Sequence, residues 1–164
     1  MATGGSRSTR FAVDAMLGSL ARKLRAFGFD SVYYKDATDS AILSASARQG
    51  RVLVTADRQL AWRAGKRGLR AFLVSGGSDR SRLLQIIASA RESGVGLRRG
   101  EPRCSLCNGA LVVLAKAEAR GRVPESVARR HRLFFACSSC GRVYWRGGHW
   151  KKLRSLEELF ERQP

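Results

Sequence analysis

Two CxxC pairs contain all four cysteines of the chain: Cys104-Ser-Leu-Cys107 and Cys137-Ser-Ser-Cys140, with 29 residues between them. A CxxC on a tight turn aims two thiolates at one point, and two such turns complete a tetrahedron around zinc. Four thiolates leave no position for water, so the expected ion is structural. Asn108-Gly109 after the first pair and Gly141 after the second supply the residues that knuckle turns need. Leu133-Phe134-Phe135 before the second pair and Val143-Tyr144-Trp145 after it read as a hairpin around that knuckle. The competing readings are two disulfides, isolated buried thiols, or a redox CxxC; neither copy leads from a clear strand into a long helix, as a thioredoxin-like motif would. His131 lies near enough in sequence to be a ligand, but four thiolates already satisfy the ion. His149 sits between Trp145 and Trp150 in YWRGGHW, suited either to packing or to substrate contact.

Lysine and arginine number 31 against 13 acids, a formal charge of +18 that favours a polyanionic partner over a merely solubilising surface. The excess is +11 over residues 1–100 and +7 over 101–164, so both parts should feel a phosphate backbone. No run approaches the roughly 20 apolar residues of a membrane span. The opening MATGGSRSTR lacks the apolar centre of a secretory signal. The expected location is a reducing cytoplasm, where cysteines hold metal more readily than they form disulfides.

The chain before residue 94 alternates apolar strands with one-sided helices. Strands are expected over 10–14, 31–34, 51–55 and 69–74. Helices are expected from Met16 to Gly28, from Asp39 as N-cap to Gly50, over 58–66, and after Ser78. Strands that are apolar nearly throughout point to an α/β sandwich: a mostly parallel sheet covered on both faces. We place this domain at 10–94, a Gly- and Arg-rich linker at 94–102, and a zinc-ribbon module at 102–154. The ribbon is too short for a large core, which gives its cysteines a structural task.

Asp14 ends the first strand, Asp57 follows the third, and Asp39 follows the second. In parallel sheets these carboxyl ends form one edge, where ligands bind. Carboxylates brought together there repel one another unless a cation intervenes, and hard oxygen donors match Mg2+ or Mn2+. Each has a plainer reading: Asp39 as an N-cap, Asp57 as a loop or cap residue, Asp14 as a turn former. Asp36 and Asp79 are additional acidic candidates. Arg22, Arg25, Arg58 and Arg63, in helices that follow these loops, are candidate phosphate contacts, or else a hydrated helix face. A metal-dependent nuclease and a non-catalytic RNA-binding adaptor stabilised by zinc are the two readings. A nucleotide-binding enzyme lacks its GxGxxG or GKS/GKT motif.

VDAMLGSLARKLRAFGFD, DATDSAILSASARQGRVLVTADRQL, RCSLCNGAL and FFACSSCGRVYWRGGHW, in that order, resemble the C-terminal ribonuclease domain named after the Mut-seven exonuclease, a PIN-like domain joined to a zinc ribbon. The resemblance implies a divalent-metal ribonuclease with Asp14, Asp39 and Asp57 in its acidic signature, the four cysteines as the ribbon's ligands, and RNA as substrate. Ala56, Lys23 and Gly148 stand where that pattern commonly has arginine, tryptophan and serine, departures that bear on substrate positioning more than on metal binding.

Overall fold

The computed structural model describes residues 8–161, with the backbone alone at residues 149–151. Its first sheet has four parallel strands in the order β2-β1-β3-β4: β1 (Arg10–Asp14), β2 (Asp30–Tyr34), β3 (Val52–Thr55) and β4 (Ala71–Leu73). Between them run α1 (Gly18–Ala26), α2 (Asp39–Gln49) and α3 (Arg58–Lys66), and α4 (Asp79–Glu92) follows β4. The helices divide between the two faces because successive strand residues point to opposite sides. Phe11, Val13, Val52 and Val54 face a core built with Leu20 and Leu24 of α1 and Leu83 and Ile86 of α4. Ala12 and Leu53, between them in sequence, face Ile42, Leu43, Leu60 and Ala64 of α2 and α3. This is the expected α/β sandwich.

Element ends agree closely with the sequence reading, with one change of role. The N-cap of α2 is Thr38, whose hydroxyl accepts from the backbone N–H of Ala41, so Asp39 is the first helical residue and its carboxylate is released from capping. A 3-10 turn (Ala15–Leu17) precedes α1.

The second sheet is antiparallel, ordered β5-β6-β7: β5 (Leu111–Leu114), β6 (Phe134–Cys137) and β7 (Val143–Trp145). Between β5 and β6 lie the short helices α5 (Lys116–Ala119) and α6 (Glu125–Arg130). The linker is hydrogen-bonded throughout its course: Thr9 N–H donates to the Arg98 carbonyl, Gly100 N–H to that of Gly28, and Arg103 N–H to that of Arg25. Gly28 has a left-handed φ of 89°, and a Cβ there would lie 2.0 Å from the Gly100 carbonyl oxygen, so only glycine fits this crossing.

After β7 the chain returns to the first sheet as α7 (Gly148–Glu161). Leu153, Leu156, Leu159 and Phe160 pack on the α1/α4 core, with the Phe160 ring 5.8 Å from that of Phe27 and 5.2 Å from that of Phe29. Arg99 in the linker pairs with Glu157 at 2.6 Å. Among the described residues no helix is long and apolar enough to cross a membrane.

Candidate functional site

The strand order sets the first part of the site. From β1 the chain crosses to β2 on one side, whereas β3 lies on the other, so the carboxyl ends of β1 and β3 flank a topological switch point, where open α/β sheets bind ligands. Asp14 ends β1 and Asp57 lies two residues beyond β3.

Thr55, fully buried at the end of β3, links the two. Its hydroxyl donates to Asp14 Oδ2 at 2.7 Å and accepts from the Asp57 backbone N–H at 3.0 Å. The other Asp14 oxygen accepts from Ala15 N–H at 2.6 Å. Asp57 is the N-cap of α3: Oδ1 accepts from the N–H groups of Gln59 and Leu60 at 2.7 and 3.2 Å. Asp39 is half-exposed and tied to the same helix by Arg63, whose Nη1 donates to Oδ2 at 2.7 Å.

Asp14 and Asp57 are thus connected through one hydroxyl, while Asp39 is engaged by a guanidinium. Among the described residues the acids do not gather into a compact ligand set as the cysteines do. Asp36 is exposed on the loop after β2. Asp79 begins α4 and is held by Lys23, by Ser19 at 2.6 Å and by Arg82 at 3.5 Å. Burial pushes the Asp79 carboxyl up, but the Lys23 and Ser19 hydrogen bonds and the Lys23 and Arg82 charges leave it below the ordinary range.

Arg22 and Arg58 are exposed, and Arg63 is half-buried on Asp39. Arg25 requires a correction. It is 5% exposed, out of reach of a phosphate backbone, because its guanidinium docks the first cysteine knuckle. Nε donates to the Ser31 carbonyl at 2.7 Å, and Nη1 to those of Ser105 and Leu106, both at 2.9 Å. Burial drives the Arg25 pKa down, against the nearby Cys104 and Cys107 thiols, which raise it.

The two knuckles repeat one hydrogen-bond pattern. Cys104 N–H donates to the Gly109 carbonyl at 2.8 Å and Cys137 N–H to that of Arg142 at 2.9 Å; Asn108 and Gly141 return N–H bonds of 2.9 Å to the carbonyls of Cys104 and Cys137. Both turns need a left-handed residue, Asn108 at φ 69° and Gly141 at φ 75°. The four sulfurs lie within 4.8 Å of one another, with Cys104–Cys140 at 3.6 Å and Cys107–Cys137 at 3.4 Å. A disulfide would bring two sulfurs to about 2.05 Å, whereas thiolates about 2.3 Å from a shared ion stand about 3.8 Å apart. The cluster is therefore four free thiols placed so that they could hold one metal ion, and this soft donor set fits zinc.

Proton sharing within the cluster has the same sense. Burial raises the Cys104 thiol, but the Tyr144 hydroxyl and the N–H groups of Cys107 and Leu106 outweigh it and bring the pKa to about 6. The Gly109 N–H lowers Cys107, but burial and the adjoining sulfurs push it up to about 12. Tyr144, whose hydroxyl lies 3.0 Å from Cys104 Sγ and 3.2 Å from Ser105 Oγ, is a site residue the sequence reading assigned only to the hairpin. Thr55 was likewise unassigned. His131 is half-exposed, and the side chain of His149 lies outside the described residues.

Comparison finds no match among curated proteins and none among solved structures. The family model described as "Mut7-C: Mut7-C RNAse domain" matches residues 9–156, taking in the switch-point acids and both knuckles. The chain belongs to the Mut7-C RNAse domain family.

Proposed function

We propose that the protein is a divalent-metal-dependent ribonuclease that hydrolyses phosphodiester bonds in single-stranded RNA. The observation that carries this reading is the Thr55 link between Asp14 and Asp57 at the switch point, in a chain of an RNase-domain family. The donor chemistry fits a hard cation such as Mg2+ or Mn2+. A carboxylate offers about four acceptor positions, and the bonds described use only some of those on Asp14, Asp39 and Asp57. A bound ion would orient an attacking water and stabilise charge on the phosphoryl oxygens. The chain itself fixes Asp14 and Asp57 through Thr55 and ties Asp39 to α3, the helix that Asp57 caps, through Arg63, the cation that a metal or a phosphate would displace. Arg58 and Arg63 on α3 then lie where an incoming backbone meets this edge. Zn2+ held by the four cysteines is structural and takes no part in cleavage, in accord with a reducing, cytoplasmic setting.

Asp57→Asn tests the assignment, because asparagine caps a helix as well as aspartate does and removes only the charged ligand. Cleavage of labelled single-stranded RNA across Mg2+ and Mn2+ concentrations should fall more than about 100-fold, beyond the typical 10- to 100-fold cost of losing an outer-shell partner. Zinc content should stay unchanged. Wild-type cleavage by folded Asp57→Asn would remove the site. A wild type that binds RNA without cutting it would favour the RNA-binding adaptor.

A further inference from the structure

A cleft of about 920 Å3 lies away from the switch point, between α1 and the ribbon hairpin. Its lining contains five arginines and a single carboxylate, Glu101. Arg22 of α1, Arg122 of the insert, and Arg142 and Arg146 flanking β7 are all exposed and come from separate segments. Three separate segments converging with one sign of charge differ from the hydrated face of a single helix. Phe135 and Tyr144, directly opposite each other in the hairpin, line the same cleft, as does Trp145. The Tyr144 ring is fixed by its hydroxyl bonds to Cys104 and Ser105, so the knuckle presets an aromatic plate at the cleft wall.

We propose that this cleft holds a stretch of the single-stranded RNA that flanks the scissile bond, with the arginines on phosphates and the hairpin rings against bases. That RNA is the ligand rests on the ribonuclease reading; that the ligand is a polyanion with stackable rings rests on the lining alone. Arginine with aromatic rings is how single strands are held without sequence readout, and a protein partner of acidic character would leave the rings without a role. The placement suits the fold. α1 starts just after the turn that follows Asp14 and ends where the ribbon docks, and its nine residues span about 13 Å, so one strand can run from the acidic edge to the cleft. The ribbon thereby becomes a substrate-holding element as well as a structural one.

Binding is measured by fluorescence anisotropy with a labelled single-stranded RNA of about 12 nucleotides, within the range of single-strand sites. The assay uses the Asp57→Asn background without Mg2+ or Mn2+, and gel analysis confirms that the RNA stays intact, so the result does not depend on whether the acids cut. Each phosphate contact on a single strand contributes about 0.7 to the slope of log affinity against log salt. Arg22→Ala with Arg142→Ala should therefore flatten the slope by about 1.4, whereas Arg48→Ala with Arg91→Ala, an equal charge change on α2 and α4, should leave it nearly unchanged. Trp145→Ala should weaken binding about 5- to 150-fold, with Trp145→Phe restoring most of it; zinc content and circular dichroism check folding, and if Trp145→Ala misfolds, the arginine pairs decide. An unaltered slope in the cleft pair, an equal effect of the control pair, or equal displacement by polyglutamate of matched charge would each overturn the proposal. Failure of Asp57→Asn to impair cleavage would instead strike the acidic site and leave this result standing.

Discussion

Thr55 is the residue through which the acidic edge is organised. It is fully buried, and its one hydroxyl serves two strand ends, donating to Asp14 and accepting from the Asp57 N–H. Thr55→Val keeps the shape and removes both bonds. A hydrogen bond to a charged group is worth about 1.5–3 kcal/mol, so denaturant unfolding should report a loss of that order. As a positioning residue Thr55 should also govern metal use: the Mg2+ or Mn2+ concentration needed for half-maximal cleavage should rise in Thr55→Val and return towards wild type in Thr55→Ser. Equal metal dependence in all three would confine the hydroxyl to stability. The sequence did not disclose this role, because threonine closing an apolar strand reads as an ordinary β-former. The flanking aspartates were legible for the opposite reason: a carboxylate at a strand end has little to do in a core.

Elements whose apolar pattern is used locally were the legible ones, and those whose partners lie far along the chain were not. RVLVT reads as a buried strand because both of its faces find helices. Thr38 and Asp39 are equally competent caps, so the choice between them waits on the backbone. LVVL of β5 shows no alternation to read, since Val112 and Val113 are both exposed in the fold, and the Leu153, Leu156 and Phe160 stripe of α7 packs on a core laid down by α1 and α4, far earlier in the chain. Arg25 had an available signal, four residues after the buried Ala21 and next to Leu24, but arginine on a helix defaults to solvent. The ribbon's contact with the sheet was equally hidden. At its centre Asp30, at the amino end of β2, takes two bonds from Arg51 at 2.9 and 3.1 Å and one from Asn108 at 2.7 Å. Burial alone would raise the Asp30 pKa, yet those bonds and the Arg51 and Arg103 charges leave it lowered. A depressed folded pKa contributes stability above the unfolded value, near 3.9, which is lost as pH falls through the folded one. Asp30→Asn should therefore lower the unfolding free energy at pH 7, and its gap to wild type should narrow as pH drops below about 4. A gap that stays constant across that range would show the loss to be one of shape and not of charge.

At the scale of the whole molecule the chain runs from the α/β core to the ribbon and back, so the two cannot be separated by one cut. The linker is bonded to Thr9 before β1 and to Gly28 before β2, Arg25 clasps the first knuckle, and α7 carries Phe160 from the ribbon onto Phe27 and Phe29. Metal loss should therefore reach beyond the cysteine module: the buried Arg25 of α1 and the core face that α7 covers would lose their anchorage as well. Structural zinc binding by small peptides is worth about 10–16 kcal/mol, and what it contributes here should be shared across the molecule through these contacts. Purified protein should carry one zinc per chain by elemental analysis. Removing it, or replacing Cys107 by serine, should lower the midpoint of one common thermal transition by at least about 10 °C, given about 2–4 °C per kcal/mol for a domain of this size. The signal from tryptophan, with Trp62 on α3 and Trp145 on the hairpin, and that from backbone circular dichroism should move together. A ribbon that melts separately while the α/β transition keeps its midpoint would show that α7 and Arg25 hold the halves in place without coupling their stability.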